Sequence, residues 1–117
     1  MMIALSGTPG TGKTSVAREL QKRGVPVTYA TDTVGPYRIG EDPDRDTDII
    51  DDERWVSEFT PVNGIVEGHL THLLPADRII ILRCHPGILK DRLKKRGYSE
   101  VKIQENIEAE ILDVTLA

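Results

Sequence analysis

One cysteine, no long apolar run, no internal repeat and no low-complexity tract define this chain by what it leaves out. A lone Cys84 excludes an internal disulfide framework and fits a reducing compartment. Cys84 ends an apolar run, so buried packing is its expected state, ahead of a reactive thiol. No apolar stretch reaches about 18 residues, the length a membrane helix needs. The N-terminus lacks the basic region of a signal peptide and turns into a strand at once. A soluble cytoplasmic protein with no membrane partner is expected. Positive charge is also in short supply. Against 19 acidic residues stand 15 Lys or Arg, for a net charge of -4. That balance argues against a protein that coats nucleic acid, and no direct nucleic-acid contact is expected. The length, 117 residues, allows one small domain around one core.

What is present is concentrated at the start. Residues Gly7 to Thr14 read G-T-P-G-T-G-K-T. They follow the apolar run Met2-Ile3-Ala4-Leu5 and precede a helical pattern from Lys13 to Arg23, which Gly24 is placed to end. Strand, glycine-rich loop and helix in that order are the context a phosphate-binding loop requires. Gly7, Gly10 and Gly12 let the backbone curl so that successive N–H groups face an anion. The helix adds its positive end to the same spot. Lys13 brings a mobile charge to the terminal phosphates, and the Thr14 hydroxyl is a ligand type suited to the accompanying Mg2+.

The remaining chain alternates apolar runs with helical periods. Val25 to Tyr29, Gly64 to Glu67 and Arg78 to Arg83 read as further strands, with a short helical turn at Thr31 to Thr33. Helices are predicted over Asp51 to Phe59 and Pro86 to Arg96, with Gly97 ending the latter. Ser99 is expected to cap a last helix running to the C-terminus, with Val101, Ile103, Ile107, Ile111 and Val114 as its apolar stripe and Glu110 among its polar positions. Gly35 to Asp48 has no clean period and reads as a mobile arm. Leu73 and Leu74, before Pro75, read as loop. The alternation predicts an α/β fold, a parallel sheet with helices on both faces, in one domain over residues 1–117.

Charge is unevenly spread. From Glu41 to Glu53 there are eight acids and one base, Arg45; from Arg83 to Arg96 there are six bases and one acid, Asp91. Glu67 closes a strand just before Gly68 and is the candidate acid for the magnesium shell, acting through water. His69 is a candidate for orienting a water or sensing the γ-phosphate, or else a loop histidine with a local hydrogen bond. His72 and His85 lack partners at metal-ligand spacing and read as structural. Asp32 lies past the second strand, where it holds magnesium-bound water, activates a nucleophile or caps a helix, and it is the candidate acid on the acceptor side. Arg92 and Arg96 lie four apart on a helix and suit fork-like contacts to triphosphate oxygens, the alternative being a solvated basic face. Arg38, Arg45 and Arg54 border the acidic arm as candidate clamps for an acceptor phosphate. Trp55 and Phe59, four apart, read as core packing ahead of base stacking.

Taken together, G-T-P-G-T-G-K-T, V-E-G-H-L-T-H-L-L-P-A-D, I-L-R-C-H-P and R-L-K-K-R-G-Y-S-E-V-K-I-Q-E-N-I-E-A-E resemble the adenylate kinase isoenzyme six family, archaeal small adenylate kinases and their nuclear eukaryotic relatives. The first motif is generic to phosphate-loop enzymes; the R-G-Y run followed by E-N-I-E-A-E is more specific. The resemblance implies a nucleoside monophosphate kinase fold with an acceptor arm at about Thr31–Ile50 and a lid at about Lys95–Glu105. It implies phosphoryl transfer from ATP to AMP or a similar nucleoside monophosphate, and ATP hydrolysis tied to small ribosomal subunit and rRNA maturation through a ribosomal protein with a basic tail. It assigns Gly10, Gly12, Lys13, Thr14 and Ser15 to the ATP-binding loop, Arg96 to the lid, and Glu67 and His69 to the acid and histidine beside the phosphates. The family pattern continues past Ala117 with a strand that would lie beside Arg78–Leu82, so the chain reads as C-terminally truncated. Weaker or lost catalysis with retained phosphate-loop binding is the expectation. Two other readings stay open: a nucleotide-switched ribosome assembly factor with vestigial kinase activity, and a shikimate-type small-metabolite kinase, which shares the loop but not the R-G-Y run.

Overall fold

The computed structural model describes residues 1–43 and 47–111, and within the strand 47–50 the side chains of residues 49 and 50. Arg45, and the predicted continuation of the last helix to the C-terminus with Val114, lie outside the described residues. Four parallel strands form the main sheet: β1 (Met2–Ser6), β2 (Val27–Tyr29), β5 (Gly64–Glu67) and β6 (Arg78–Ile81), in the order β2-β5-β1-β6. In register, Met2 lies beside Gly64 and Ile3 beside Arg78, so β1 runs through the middle and, among the described residues, β6 forms an edge. The α/β sheet predicted from the alternation is therefore present.

The parallel arrangement follows from burial on both faces. Met2 and Val66 turn to one face, where Trp55, Ala30 and Leu74 complete a core cluster. Leu5 and Ile65 turn to the other and meet Ala17 of α1 (Lys13–Lys22). Helix α2 (Asp52–Glu58) brings Trp55, 1% exposed, onto the first face, and its ring meets Phe59 edge-on at 5.6 Å between centroids. Both residues are core, as expected. Asp51 caps α2, accepting from the Arg54 N–H at 3.2 Å. Helix α3 (Pro86–Lys95) packs on α4 (Glu100–Ile111) through Leu89, Leu93 and Ile103, with Cys84 half-buried against them.

Helix ends follow the sequence signals closely. After α3, Gly97 sits at φ 75, its N–H donating to Lys94 O at 3.0 Å while the Tyr98 N–H reaches Leu93 O at 3.2 Å. Those two bonds make a Schellman turn, with Tyr98 packed on the helix it ends. Ser99 then accepts from the Lys102 N–H at 3.2 Å and starts α4. His85 caps α3 through Nδ1, and His72 Nδ1 lies 3.0 Å from Ser6 Oγ, so both serve structural roles.

Three expectations need correction. The arm without a clean period contains an antiparallel hairpin, β3 (Arg38–Asp42) and β4 (Thr47–Ile50), with an irregularity between Arg38 and Gly40. Its strands alternate poorly in the sequence because the ribbon packs little core: Ile39 is 68% exposed. Leu73 belongs to a 3-10 turn, Thr71–Leu73, rather than plain loop. The stripe on α4 is also rotated. Val101 and Ile111 are exposed, and the inward face carries Ile103, Ile107 and Glu110. At 100° per residue these three lie within about 60° of one another, whereas Val101 falls on the far side. No described helix is long and apolar enough to cross a membrane.

Candidate functional site

The loop between β1 and α1 is shaped by its glycines. Gly10 and Gly12 stand at φ 89 and 101, in the left-handed region where a side chain is strained. Gly10 has a second reason to be glycine: a Cβ there would lie 2.7 Å from Leu89 Cδ1 and 3.1 Å from Leu93 Cδ2. The loop is thus seated directly on α3. From the same helix, Arg92 Nη1 donates to Gly10 O at 3.0 Å and approaches Cys84 Sγ at 3.6 Å.

Lys13 is buried inside the loop. Its Nζ donates to Gly7 O at 2.8 Å and to Thr8 O at 2.9 Å. Burial pushes its ammonium down to about 8, helped by Arg96, while Glu67 and Glu110 pull it back up. It therefore remains charged near neutral pH, poised over the loop.

Glu67 ends β5 beside β1, whose Leu5 is its register partner. The chain then turns: the Gly68 N–H donates to Leu5 O at 3.1 Å, and buried Thr71 ties Leu5 O to Gly68 O through its hydroxyl. That turn holds Glu67 and His69 next to the glycine loop. Burial raises the Glu67 carboxyl above its usual value; Lys13, a hydrogen bond from Thr14, Arg18 and Arg96 offset part of the rise. Desolvation in the pocket wall, then Lys13, His72 and Lys102, lower the His69 imidazole to about 4, so its ring is neutral at pH 7.

These groups share one pocket of about 440 Å3, lined by Gly10, Gly12, Lys13, Thr14, Glu67, His69 and Arg96 among others. It opens at the carboxyl ends of β1 and β5, where parallel sheets bind ligands. A triphosphate fits this chemistry: curled backbone at a helix start, with Lys13, Arg96 and Lys102 at the walls. Magnesium fits too. Thr14 and Glu67 supply oxygen ligands at one point, and this ion takes one or two protein oxygens plus phosphates and water rather than an all-protein cage. Among the described residues no group of three or more His, Cys, Asp or Glu forms such a cage.

Other expected site residues fall elsewhere. Ser15 is exposed on the first turn of α1 and does not line the pocket. Arg92 and Arg96 do not act as a pair: Arg92 holds the loop backbone, and Arg96, at the end of α3, faces the pocket. Asp32 is exposed at the end of the 3-10 turn Ala30–Asp32, and the neighbouring Thr31 lines the pocket instead. Arg38 pairs with Glu41 at 2.9 Å, and Arg54 with Glu58 at 2.6 Å while lying over the Tyr37 ring. The lid range, 95–105, consists of the α3–α4 turn and the first turns of α4.

One residue of the site escaped the sequence reading. Glu110, 3% exposed, reaches back from α4 to the glycine loop and accepts from the Thr8 hydroxyl. It also accepts from Arg83 Nε at 2.5 Å and from the Cys84 N–H at 3.0 Å. Burial pushes its carboxyl up, but the bonds from Thr8, Arg83 and Cys84 outweigh that and hold it below the usual range. Its position on the Ile103–Ile107 face was the available signal: an acid where the helix turns inward needs partners.

Comparison with known proteins places this geometry. A family model described as an AAA domain matches residues 3–113. The chain is 47% identical over 116 residues to a protein of Archaeoglobus fulgidus named "Putative adenylate kinase", covering 99% of this chain and 65% of that one. Proteins of the same name from Methanocaldococcus jannaschii and Pyrococcus furiosus are 45% and 46% identical, again over 99% of this chain and over 70% and 67% of theirs. The chain thus spans about two thirds of the length of these curated relatives.

Proposed function

The chain belongs to the family of these archaeal adenylate kinase relatives, and from that membership we propose that it is an ATP-dependent nucleoside monophosphate kinase, converting ATP and AMP to two ADP. The observation that carries the reading is the meeting of Lys13, Thr14, Glu67 and Arg96 around one pocket over the glycine loop. An acceptor phosphate oxygen bonds to the γ-phosphorus as the bond to the β–γ bridging oxygen breaks, and ADP leaves on both sides. Such transfer demands positioning and charge neutralisation more than covalent help.

Each residue has a place in that demand. The loop amides from Gly10 to Thr14 cradle the phosphates, and Lys13 leaves its carbonyl partners for the terminal ones. Thr14 and Glu67, the latter through water, would hold magnesium, which would neutralise phosphate charge when bound. Arg96 enters from the end of α3 as the chain closes over the donor. Neutral His69 both donates and accepts, and so orients the attacking oxygen or, with no acceptor nucleotide, a water. The second outcome is ATP hydrolysis. Asp32 and Arg38, exposed on the arm, are assigned to the acceptor side, with the cytoplasm as the site of action.

The acidity of residues 41–53 favours a second use of the same site, as a nucleotide-switched factor that docks a basic ribosomal protein tail during small-subunit maturation. Such a contact weakens as salt rises. ADP formation measured with ATP alone, with ATP plus AMP, and with ATP plus a basic ribosomal protein separates the two. Stimulation by AMP supports the kinase, and stimulation by the protein alone supports the assembly factor. Absence of magnesium-dependent ATP binding, with Lys13→Ala behaving as the parent, sinks both.

A further inference from the structure

Glu110 belongs to the last described turn of α4, 102 positions along the chain from Thr8, to which it is hydrogen-bonded. A carboxylate so deeply buried survives only with its oxygens satisfied, and this one is. One oxygen takes the Arg83 guanidinium and the Cys84 N–H, both from the segment after β6; the other takes the Thr8 hydroxyl. Arg83 Nη2 also donates to the Glu110 backbone carbonyl at 2.7 Å, fixing the helix end itself.

Thr8 is held from its other side as well. Its carbonyl oxygen accepts from Lys13 Nζ at 2.9 Å, from Thr11 Oγ1 at 2.8 Å and from the Thr11 N–H at 3.3 Å. The side chain of one residue thus answers to α4 while its carbonyl answers to the loop lysine. We propose that Glu110 is a positioning residue for nucleotide binding: by holding the Thr8 hydroxyl it fixes the carbonyl cradle of Lys13, and so couples the seating of α4 to the affinity of the loop for a nucleoside triphosphate. When Lys13 moves to a phosphate, Thr8 keeps its place on Glu110 and Thr11, and the loop binds without rebuilding its first turn. Affinity gained this way is preorganisation rather than a new contact with the ligand. The inference rests on the reading of Gly7–Thr14 as a triphosphate site.

Calorimetric titration of the full chain with magnesium-ATP tests it, in the parent and in Thr8→Val, Thr8→Ser, Glu110→Gln and the Thr8→Val/Glu110→Gln double variant. Loss of a hydrogen bond to a buried charged group predicts about tenfold weaker binding in Thr8→Val and in Glu110→Gln. Thr8→Ser keeps the hydroxyl and should bind within about twofold of the parent. The double variant should be no weaker than the weaker single, since both cut one link. Singles that bind like the parent while melting earlier would reduce Glu110 to a staple between helix and sheet and overturn the proposal, as would losses that multiply in the double. Should Glu110→Gln fail to fold, the contrast between Thr8→Val and Thr8→Ser decides alone. A parent that does not bind magnesium-ATP removes the site reading and the inference with it, whereas a parent that binds beside variants that bind equally removes only the inference.

Discussion

Lys13 Nζ lies 2.8 Å from the carbonyl oxygen of Gly7, six residues back along its own loop. The charge proposed for a ligand phosphate is thus kept inside the protein on neutral oxygens, close enough to change partners by side-chain rotation alone. Lys13→Ala should lower ATP turnover at least about 100-fold, as expected where a preorganised cation stabilises transferring phosphate. Steady-state ADP release checks this, and a variant within about threefold of the parent would deny Lys13 its role.

The same burial makes Lys13 a cost to the free protein, with a defined pH signature. Its folded value, about 8, lies below the 10.5 of an exposed lysine. Between those limits the unfolded chain still holds the proton that the folded chain has released, so stability rises with pH across this window and is flat below 8, where both states are protonated. Relative to Lys13→Met, the parent should gain on the order of 3 kcal/mol between pH 8 and 10.5. Urea unfolding of both at matched pH measures the difference; a flat difference contradicts the buried, charged lysine.

Gly10 and Gly12 should respond unequally to alanine. At Gly12 the new methyl meets nothing within 4 Å and pays only for its φ, about 1–2 kcal/mol. At Gly10 the same strain is joined by collision with Leu89 and Leu93, adding about 1–3 kcal/mol. Gly10→Ala should therefore melt several degrees below Gly12→Ala in a calorimetric scan, and the reverse order would contradict the packing of the loop on α3.

Trp55 links the arm to the core. Its Nε1 donates to Thr33 Oγ1 at 3.0 Å, and its ring is buried against Met2, Val66 and Leu74. Trp55→Ala should cost about 3–5 kcal/mol, whereas Trp55→Phe keeps much of the ring and loses chiefly the hydrogen bond, about 1–3 kcal/mol. Denaturant midpoints of the two variants give the comparison directly.

Among the described residues β6 pairs on one side only, with β1, and this edge predicts self-association of the 117-residue chain. Ile79 and Ile80 on β6 are 48% and 46% exposed, and unpaired edges of this kind recruit other strands. Ile79→Lys should leave the melting temperature within a degree or two of the parent and reduce light scattering in concentrated solution. Unchanged scattering would move the sticky surface elsewhere.

Much of this architecture is legible in the amino acids because it rests on local chemistry. Gly7–Thr14 announces its loop and Gly24 and Gly97 announce helix ends through a conformation few other residues adopt, while Asp51 and Ser99 announce their caps through a side-chain oxygen that takes a backbone N–H. The hairpin at Arg38–Ile50 is hidden because its ribbon buries little, and burial is what stamps a period of two on a strand. Arg92 and Arg96 look equivalent from spacing alone. Only the seating of α3 against Gly10 sends the first to a backbone carbonyl and leaves the second at the pocket. Glu110 is hidden for a related reason. An acid in an acid-rich helix looks solvated until the rotation of that helix is fixed by Ile103 and Ile107.

The absent side chain of Gly10 has a consequence for how this protein can vary. Leu89 and Leu93 occupy the space a methyl would need, so residues 10, 89 and 93 change as a set or not at all. Anyone who randomises the α3–α4 core to harden the protein is, at those two leucines, also selecting on the shape of the nucleotide loop.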